Sequence, residues 1–437
     1  MPSIELPPGV DTKIFIQGPG CLAEVPSMVA QVNPSSLPLI LIQDEHTKAA
    51  AGQALAQILS EQGIPFSELL LVPGSLGVID PDHQRVVAIA EHIKKEQAFP
   101  VAVGSGTIND LVKRAAFELD IPYACVGTAA SVDGYSAFGA SLVQGGYKIT
   151  MPCPAPAAVA ADTDVLLSAP YDMTASGYGD LYAKLAAGVD WFLADRLGIE
   201  KIDPPVWDMV QKDLPLWVAE PGKLKGGDST ALSNVFRGLT MSGCAMQIYK
   251  DSRPASGAEH LISHIWEMEH LSKDGLPVSH GFKVAMGTLI SVSLMEAFYS
   301  LSPEDISVEA CRPHRETWEE RRLSIAGRFP DPQICEMVEK ASRDKWLDDD
   351  QWTARIRQLG GLLGELKTFA VQRLGSRDKV RADLIEAGCP VSPQDFGVSP
   401  EGIKDAVIKA QMIRKRYTIM DALYETGQLG PILDRLF

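Results

Sequence analysis

The 437-residue sequence has no C-x-x-C pair, no excess of basic residues, no low-complexity tract and no internal repeat. Seven cysteines (Cys21, Cys125, Cys153, Cys244, Cys311, Cys335 and Cys389) are scattered and odd in number. They read as reduced thiols of a cytoplasmic protein rather than as a disulfide framework. Forty Lys and Arg stand against 56 Asp and Glu, a formal charge of −16. So acidic a chain has no electrostatic footprint for nucleic acid or for an anionic membrane surface. The opening MPSIELPPGVDTK has neither the basic nor the apolar region of a signal peptide. The most membrane-like stretch, Lys283–Glu296, is broken by Gly, Thr and two Ser. It is too short to span a bilayer and reads as a buried helix, so no membrane insertion is expected.

What is present is ordinary globular composition, 46% hydrophobic and 22% charged, over a length that suggests two or three domains. In the first third, short apolar runs at Ile14–Ile16, Leu37–Ile42, Leu69–Val72, Pro100–Val103 and Tyr123–Val126 alternate with helical patterns such as Thr47–Gln62 and Asp82–Glu96. Such alternation predicts a parallel sheet with helices on both faces. After Tyr171 the strand signal disappears. Helical patterns follow at Gly179–Leu197, Ser229–Tyr249, Glu259–Leu271, Gly281–Tyr299, Gln333–Ala341, Asp349–Leu374 and Ser376–Glu386. The Pro/Gly-rich pieces Asp203–Val206 and Glu220–Gly227 read as separators. The expectation is an α/β domain over 1–170 and an all-α domain over 171–437.

Three loops stand at the ends of predicted strands. Pro100-Val-Ala-Val-Gly-Ser-Gly-Thr-Ile-Asn-Asp110 runs from a strand straight into a helix. Gly104 and Gly106 would let main-chain amides approach a pyrophosphate, and the helix N-terminus would add its dipole. Glycine at a strand–helix turn also occurs for steric reasons alone, and the turn follows a late strand rather than the first. Asp110 falls in the first turn, where an acid favours the helix. Asp44 ends the run Leu39-Ile-Leu-Ile-Gln-Asp, where it could accept from the ribose hydroxyls of NAD or serve as a helix cap. Gly127-Thr-Ala-Ala-Ser-Val-Asp-Gly134 adds Thr128, Ser131 and Asp133. Doubly wound sheets bind their ligands at such loops.

Histidine is scarce, eight in all, yet Glu259-His-Leu-Ile-Ser-His264 puts His260 and His264 one helical turn apart. His280 opens Ser279-His-Gly-Phe-Lys283, and Asp180 ends Ser176-Gly-Tyr-Gly-Asp at the expected start of a helix. Two imidazoles and a carboxylate with an open position suit a catalytic divalent metal. H-x-x-x-H without Glu in its second position argues against a metalloprotease. The bland alternatives are a surface histidine pair and a capping acid.

Gly104–Asp110, Thr128–Gly134, Ser176–Asp180, Arg253-Pro-Ala-Ser-Gly-Ala-Glu-His260 and His280–Lys283 occur in this order. In order and spacing they resemble the sn-glycerol-1-phosphate dehydrogenases of the iron-containing alcohol dehydrogenase (dehydroquinate-synthase-like) superfamily, particularly their bacterial branch. The resemblance runs from about residue 10 to about residue 300. It implies an oxidoreductase of phospholipid metabolism that interconverts dihydroxyacetone phosphate and sn-glycerol 1-phosphate by hydride transfer at C2. It further implies NAD(P) and one divalent metal (Zn²⁺ or Ni²⁺, or Fe²⁺), a small phosphorylated substrate, and a homo-oligomer, dimer or larger.

Carried over residue by residue, Gly104, Ser105, Gly106, Thr107 and Ile108, with Asp110, Thr128 and Ser131, would face the dinucleotide, and Asp44 its ribose. Asp180, His260 and His280 would hold the metal. Asp133 and His264 would contact the substrate and act in catalysis, with Asp180 close by. Where the family often has a further nucleotide-contacting serine, this sequence has Ala137 beside Ser136. Arg253 is the candidate phosphate anchor. On the same scaffold, a glycerol or polyol dehydrogenase, a dehydroquinate-synthase-like cyclase, or a non-catalytic sugar-phosphate binder is the alternative.

Overall fold

The computed structural model describes residues 4–74, 77–144 and 147–437. Its strands are β1 (Ile14–Gly18), β2 (Leu39–Gln43), β3 (Phe66–Leu70), β4 (Phe99–Gly104), β5 (Ala124–Gly127), β6 (Ala140–Gln144), β7 (Tyr147–Met151) and β8 (Ala158–Asp162). Six of them form one all-parallel sheet in the order β1-β8-β5-β4-β2-β3, and β6 and β7 form an antiparallel hairpin. Every residue of β2, β4, β5 and β8 is buried. That is the signature of a parallel sheet covered on both faces, and it explains why these strands read as continuous apolar runs. Each fully buried aliphatic side chain there contributes roughly 1.5–3 kcal/mol relative to exposure.

Strand β8 escapes a reading by composition. Ala158-Val-Ala-Ala-Asp162 has a single β-branched residue, yet it lies between β1 and β5. Its last residue organises the neighbouring turn: Asp162 caps the helix Thr163–Ser168 and accepts from the Gly20 and Leu22 amides at 3.1 and 2.9 Å.

Chain contacts fall into two compact units. One comprises Met1–Leu181, Pro205–Ser252 and Glu386–Cys389; the other comprises Tyr182–Pro204, Arg253–Ile385 and Pro390–Phe437. The first holds the sheet. The second is built around the helix His280–Tyr299, which packs against Ala258–Met268, Asp349–Leu374 and Ile419–Glu425. Among the described residues this is the one helix long and apolar enough to cross a membrane. It is longer than its apolar stretch suggests, 20 residues, and 89% of its most apolar window is buried within the protein.

Several local expectations are corrected. Asp180 lies in the last turn of the helix Tyr171–Tyr182, not at a helix start. Gly177 and Gly179 both sit inside that helix. In the first supposed separator the helix Pro204–Gln211 begins, and the second contains the helix Pro221–Lys225, each opened by a proline whose fixed φ suits a first helical position. The helical half also carries a two-residue hairpin, Ser272–Lys273 with Leu276–Pro277. It turns through Asp274-Gly275, both at positive φ, the strongest short hairpin signal a sequence offers.

Candidate functional site

At the carboxyl edge of the sheet, the neighbouring strands β5, β4 and β2 each end in one of the three loops singled out above. After β4 the helix Gly106–Glu118 begins behind Ser105, whose side chain makes no cap. By contrast, Asp44, Asp82 and Asp162 cap the helices that follow them. The first-turn amides of this helix are thus left to an external acceptor, the arrangement that binds phosphate. The glycines also meet a steric need. A Cβ on Gly104 would stand 2.8 Å from Ile108, and one on Gly106 would stand 2.8 Å from the Val132 side chain. The steric reading of this turn is thereby met. The Thr128 amide donates to the Gly104 carbonyl at 3.1 Å, locking the loop after β5 to the turn.

Asp44 is the N-cap of the helix that follows it: its Oδ1 accepts from the Thr47 amide at 2.7 Å in a reciprocal capping box. Asp110, expected at the cofactor, has its two oxygens held by Lys113 Nζ at 3.0 Å and the Ser141 amide at 2.9 Å. Ser136 does not stand in for the missing serine at Ala137; it is fully buried and donates to the Thr240 carbonyl at 2.7 Å.

The loop after β5 is bound to the helix that carries Asp180. The Asp133 amide donates to Asp180 Oδ2 at 3.0 Å, and Asp133 Oδ2 accepts from Ser242 Oγ at 3.1 Å. This approach requires glycine at 177, where a Cβ would lie 1.8 Å from the Ala130 carbonyl oxygen. Asp180 is fully buried.

His260 and His264 lie on the helix Ala258–Met268, and His280 is the first residue of the next long helix. The His260 ring centroid is 5.5 Å from His280 and 6.5 Å from His264. Each Nδ1 meets a carboxylate: His260 meets Glu259 Oε1 at 2.8 Å, His280 meets Glu267 Oε1 at 2.8 Å, and His264 meets Glu267 Oε2 at 3.2 Å. A neutral imidazole that donates through Nδ1 keeps its Nε2 lone pair for a metal or a proton. Desolvation pushes the partly buried His264 down to about 4, the other two imidazoles add to the shift and Glu267 opposes it, so His264 is neutral at pH 7. One ligand atom from each of Asp180, His260 and His280 lies within 4.8 Å of the others. Two imidazoles and a carboxylate form a donor set that fits a zinc-type divalent ion with open positions.

Asp190 secures the start of the histidine helix. Its Oδ2 accepts from the Ala258 amide at 2.8 Å and its Oδ1 from the Ile419 amide at 2.7 Å. Burial, with nearby Glu259, raises this carboxyl to about 7, against the pull of those amides and Arg253. Arg253 was expected as the phosphate anchor. It is fully buried, with Nη2 on the Asp190 carbonyl at 2.8 Å and Nε 3.2 Å from Glu200. Glu259 and Glu267 were not anticipated. Their signal was spacing alone: one adjoins His260 and the other follows His264 by three residues, a helical neighbour position.

Residues 16–170 match the family model described as iron-containing alcohol dehydrogenase. Two curated relatives are both named glycerol-1-phosphate dehydrogenases acting with NAD(P)⁺. The one from Bacillus velezensis is 35% identical over 390 residues, covering 89% of this chain and 86% of the relative. The one from Geobacillus stearothermophilus is 28% identical over 386 residues, covering 88% and 86%. A solved structure described as a probable glycerol dehydrogenase from Sinorhizobium meliloti shares the fold at a TM-score of 0.60, with 14% identity and 97% of each chain covered.

Proposed function

Because the chain belongs to the glycerol-1-phosphate dehydrogenase family of the iron-containing alcohol dehydrogenases, we propose that it interconverts dihydroxyacetone phosphate and sn-glycerol 1-phosphate with NAD(P)(H). The observation that carries this reading is the set Asp180, His260 and His280, whose ligand atoms lie within 4.8 Å of one another. Both of its imidazoles are held through Nδ1 by carboxylates. These residues would hold one divalent cation, for which Zn²⁺, Ni²⁺ and Fe²⁺ all suit the donors. When bound, the cation supplies Lewis-acid polarisation of the C2 oxygen and the nicotinamide supplies or takes the hydride.

The chain's own residues bind, orient and move the proton. Gly104, Ser105, Gly106, Thr107 and Ile108 present main-chain amides to the pyrophosphate, with Thr128 and Ser131 beside them. Asp44 reaches the ribose with the oxygen its cap leaves over. Asp133 contacts the substrate and, through its amide, steadies Asp180. His264, neutral, takes the C2 hydroxyl proton at Nε2 during oxidation and returns it during reduction, with Glu267 fixing the tautomer at Nδ1. All seven cysteines are free and six are buried, which supports a reducing, cytoplasmic setting. A homo-oligomer, dimer or larger, is part of the same reading.

The test is steady-state kinetics with dihydroxyacetone phosphate, dihydroxyacetone, NADH and NADPH. Donors built for a phosphate are left unpaired when it is missing, so the phosphorylated substrate is expected to win by at least about 10³-fold in kcat/KM. Oxidation should favour sn-glycerol 1-phosphate over the 3-phosphate. Equal rates with free dihydroxyacetone or glycerol would make the protein a polyol dehydrogenase. Turnover of a phosphorylated sugar acid with no net change in NADH would make it a cyclase.

A further inference from the structure

Lys113, on the helix that opens at the glycine turn, is fully buried. Its ammonium lies 3.0 Å from Asp110 Oδ1 and 2.9, 3.2 and 3.0 Å from the carbonyl oxygens of Gly134, Ala137 and Gly139. Four oxygens around one cation is more than a lysine needs for its three N–H groups. It resembles the shell of a desolvated monovalent ion. Three of the four belong to the main chain directly after Asp133. One turn earlier, Asn109 adds Nδ2 to the Gly134 and Tyr135 carbonyls at 3.2 and 3.3 Å, while its Oδ1 accepts from Tyr123 at 3.1 Å.

Main-chain carbonyls that converge inside a protein have no donors of their own and must be met by one. An ammonium buried without acceptors is costly, but Asp110 and the three carbonyls surround this one. Charge and loop therefore need each other. The segment so held begins at Asp133, whose amide donates to Asp180 Oδ2 at 3.0 Å. Just before it, Val132 packs on Gly106 of the turn. We propose that Lys113 is a positioning residue, a built-in monovalent cation that holds the loop of residues 133–139 and, through the Asp133 amide, aims the Asp180 carboxylate. The consequence for metal rests on the reading of Asp180 as a ligand; the loop clasp does not.

Lys113→Ala removes the ammonium and leaves space for a short amine. Two measurements separate the two parts of the inference. Hydrogen–deuterium exchange at 133–139 reports the loop without reference to any metal. Competition of Zn²⁺ with a chelator reports Asp180. In the variant, exchange at 133–139 should quicken and Zn²⁺ affinity should fall by roughly tenfold or more, the usual cost of losing support behind a ligand. Millimolar n-propylammonium chloride should restore both, whereas n-propanol, of similar shape and no charge, should not. Wild-type exchange in the variant, or equal rescue by the alcohol, overturns the proposal, because Lys113 then only fills space. If exchange responds but the unsubstituted protein binds no Zn²⁺, the clasp stands and the metal reading fails. Should Lys113→Ala not fold, Asp110→Asn weakens the same shell without a cavity and must quicken exchange at 133–139; unchanged exchange there counts against the clasp.

Discussion

After β4 the chain builds its candidate binding surface by leaving side chains out, whereas around His260 and His280 it builds one by adding them. At the turn, Gly104 and Gly106 bring main-chain atoms against Ile108 and Val132, and Ser105 leaves the helix amides uncapped. At the histidines, Glu259 grips one ring and Glu267 two, and Asp190 reaches in from another helix to tie down the amide of Ala258. A dinucleotide phosphate is large and diffuse, and many amide dipoles can share it. A metal ion is small and asks for a few lone pairs at fixed angles, so rings must be locked from behind. The two surfaces should therefore fail differently when changed.

The largest break falls on the histidine side and is graded. His260→Ala should strip bound metal, seen by elemental analysis, and with it several kcal/mol of transition-state stabilisation, on the order of 10³-fold in rate. His264→Ala should keep its metal and lose about 10²-fold in kcat/KM, as for a proton-handling group. Equal metal loss in both would mean that His264 is a ligand as well. Glu267→Gln sits between them: its amide can accept from one imidazole only, so metal affinity should fall about 10–100-fold together with turnover.

Gly106→Ala should act on the other side alone. The new Cβ would stand 2.8 Å from Val132, a side chain with some room to yield, and overpacking of this kind costs about 1–3 kcal/mol. Weaker NADH binding by fluorescence titration with unchanged metal content is the expected outcome. Loss of metal in this variant would show that the two surfaces are not independent. Asp44→Ser gives the smallest effect. Serine can still cap the helix, so stability should hold while repulsion of the NADP 2′-phosphate is relieved. The NADPH/NADH ratio of kcat/KM should rise; an unmoved ratio leaves Asp44 a cap and nothing more.

Legibility followed local signals. The helices Ser229–Tyr249 and Asp349–Leu374 are readable to the residue because Asp228 and Asp348 cap their starts and an abrupt glycine, Gly375, closes the second. Strand β8 and the helix Tyr171–Tyr182 were hidden for the opposite reason. Alanines replace β-branched residues in β8, and the helix contains Gly177, which its close approach to Ala130 demands. In both places packing overrode propensity.

By itself the sequence determined the alternation that makes a parallel sheet, the glycine turn after β4, and the histidine spacing. Each of these depends on residues within a turn or two of one another. Only the tertiary structure decided that Arg253 is sealed against Glu200, that Asp110 belongs to Lys113 and Ser141, and that Glu267 serves two imidazoles. It also decided that the compact units interleave segments, taking 205–252 with the sheet and 182–204 with the helices. A side chain's role depends on which atoms surround it once distant segments have packed, and no local pattern carries that information.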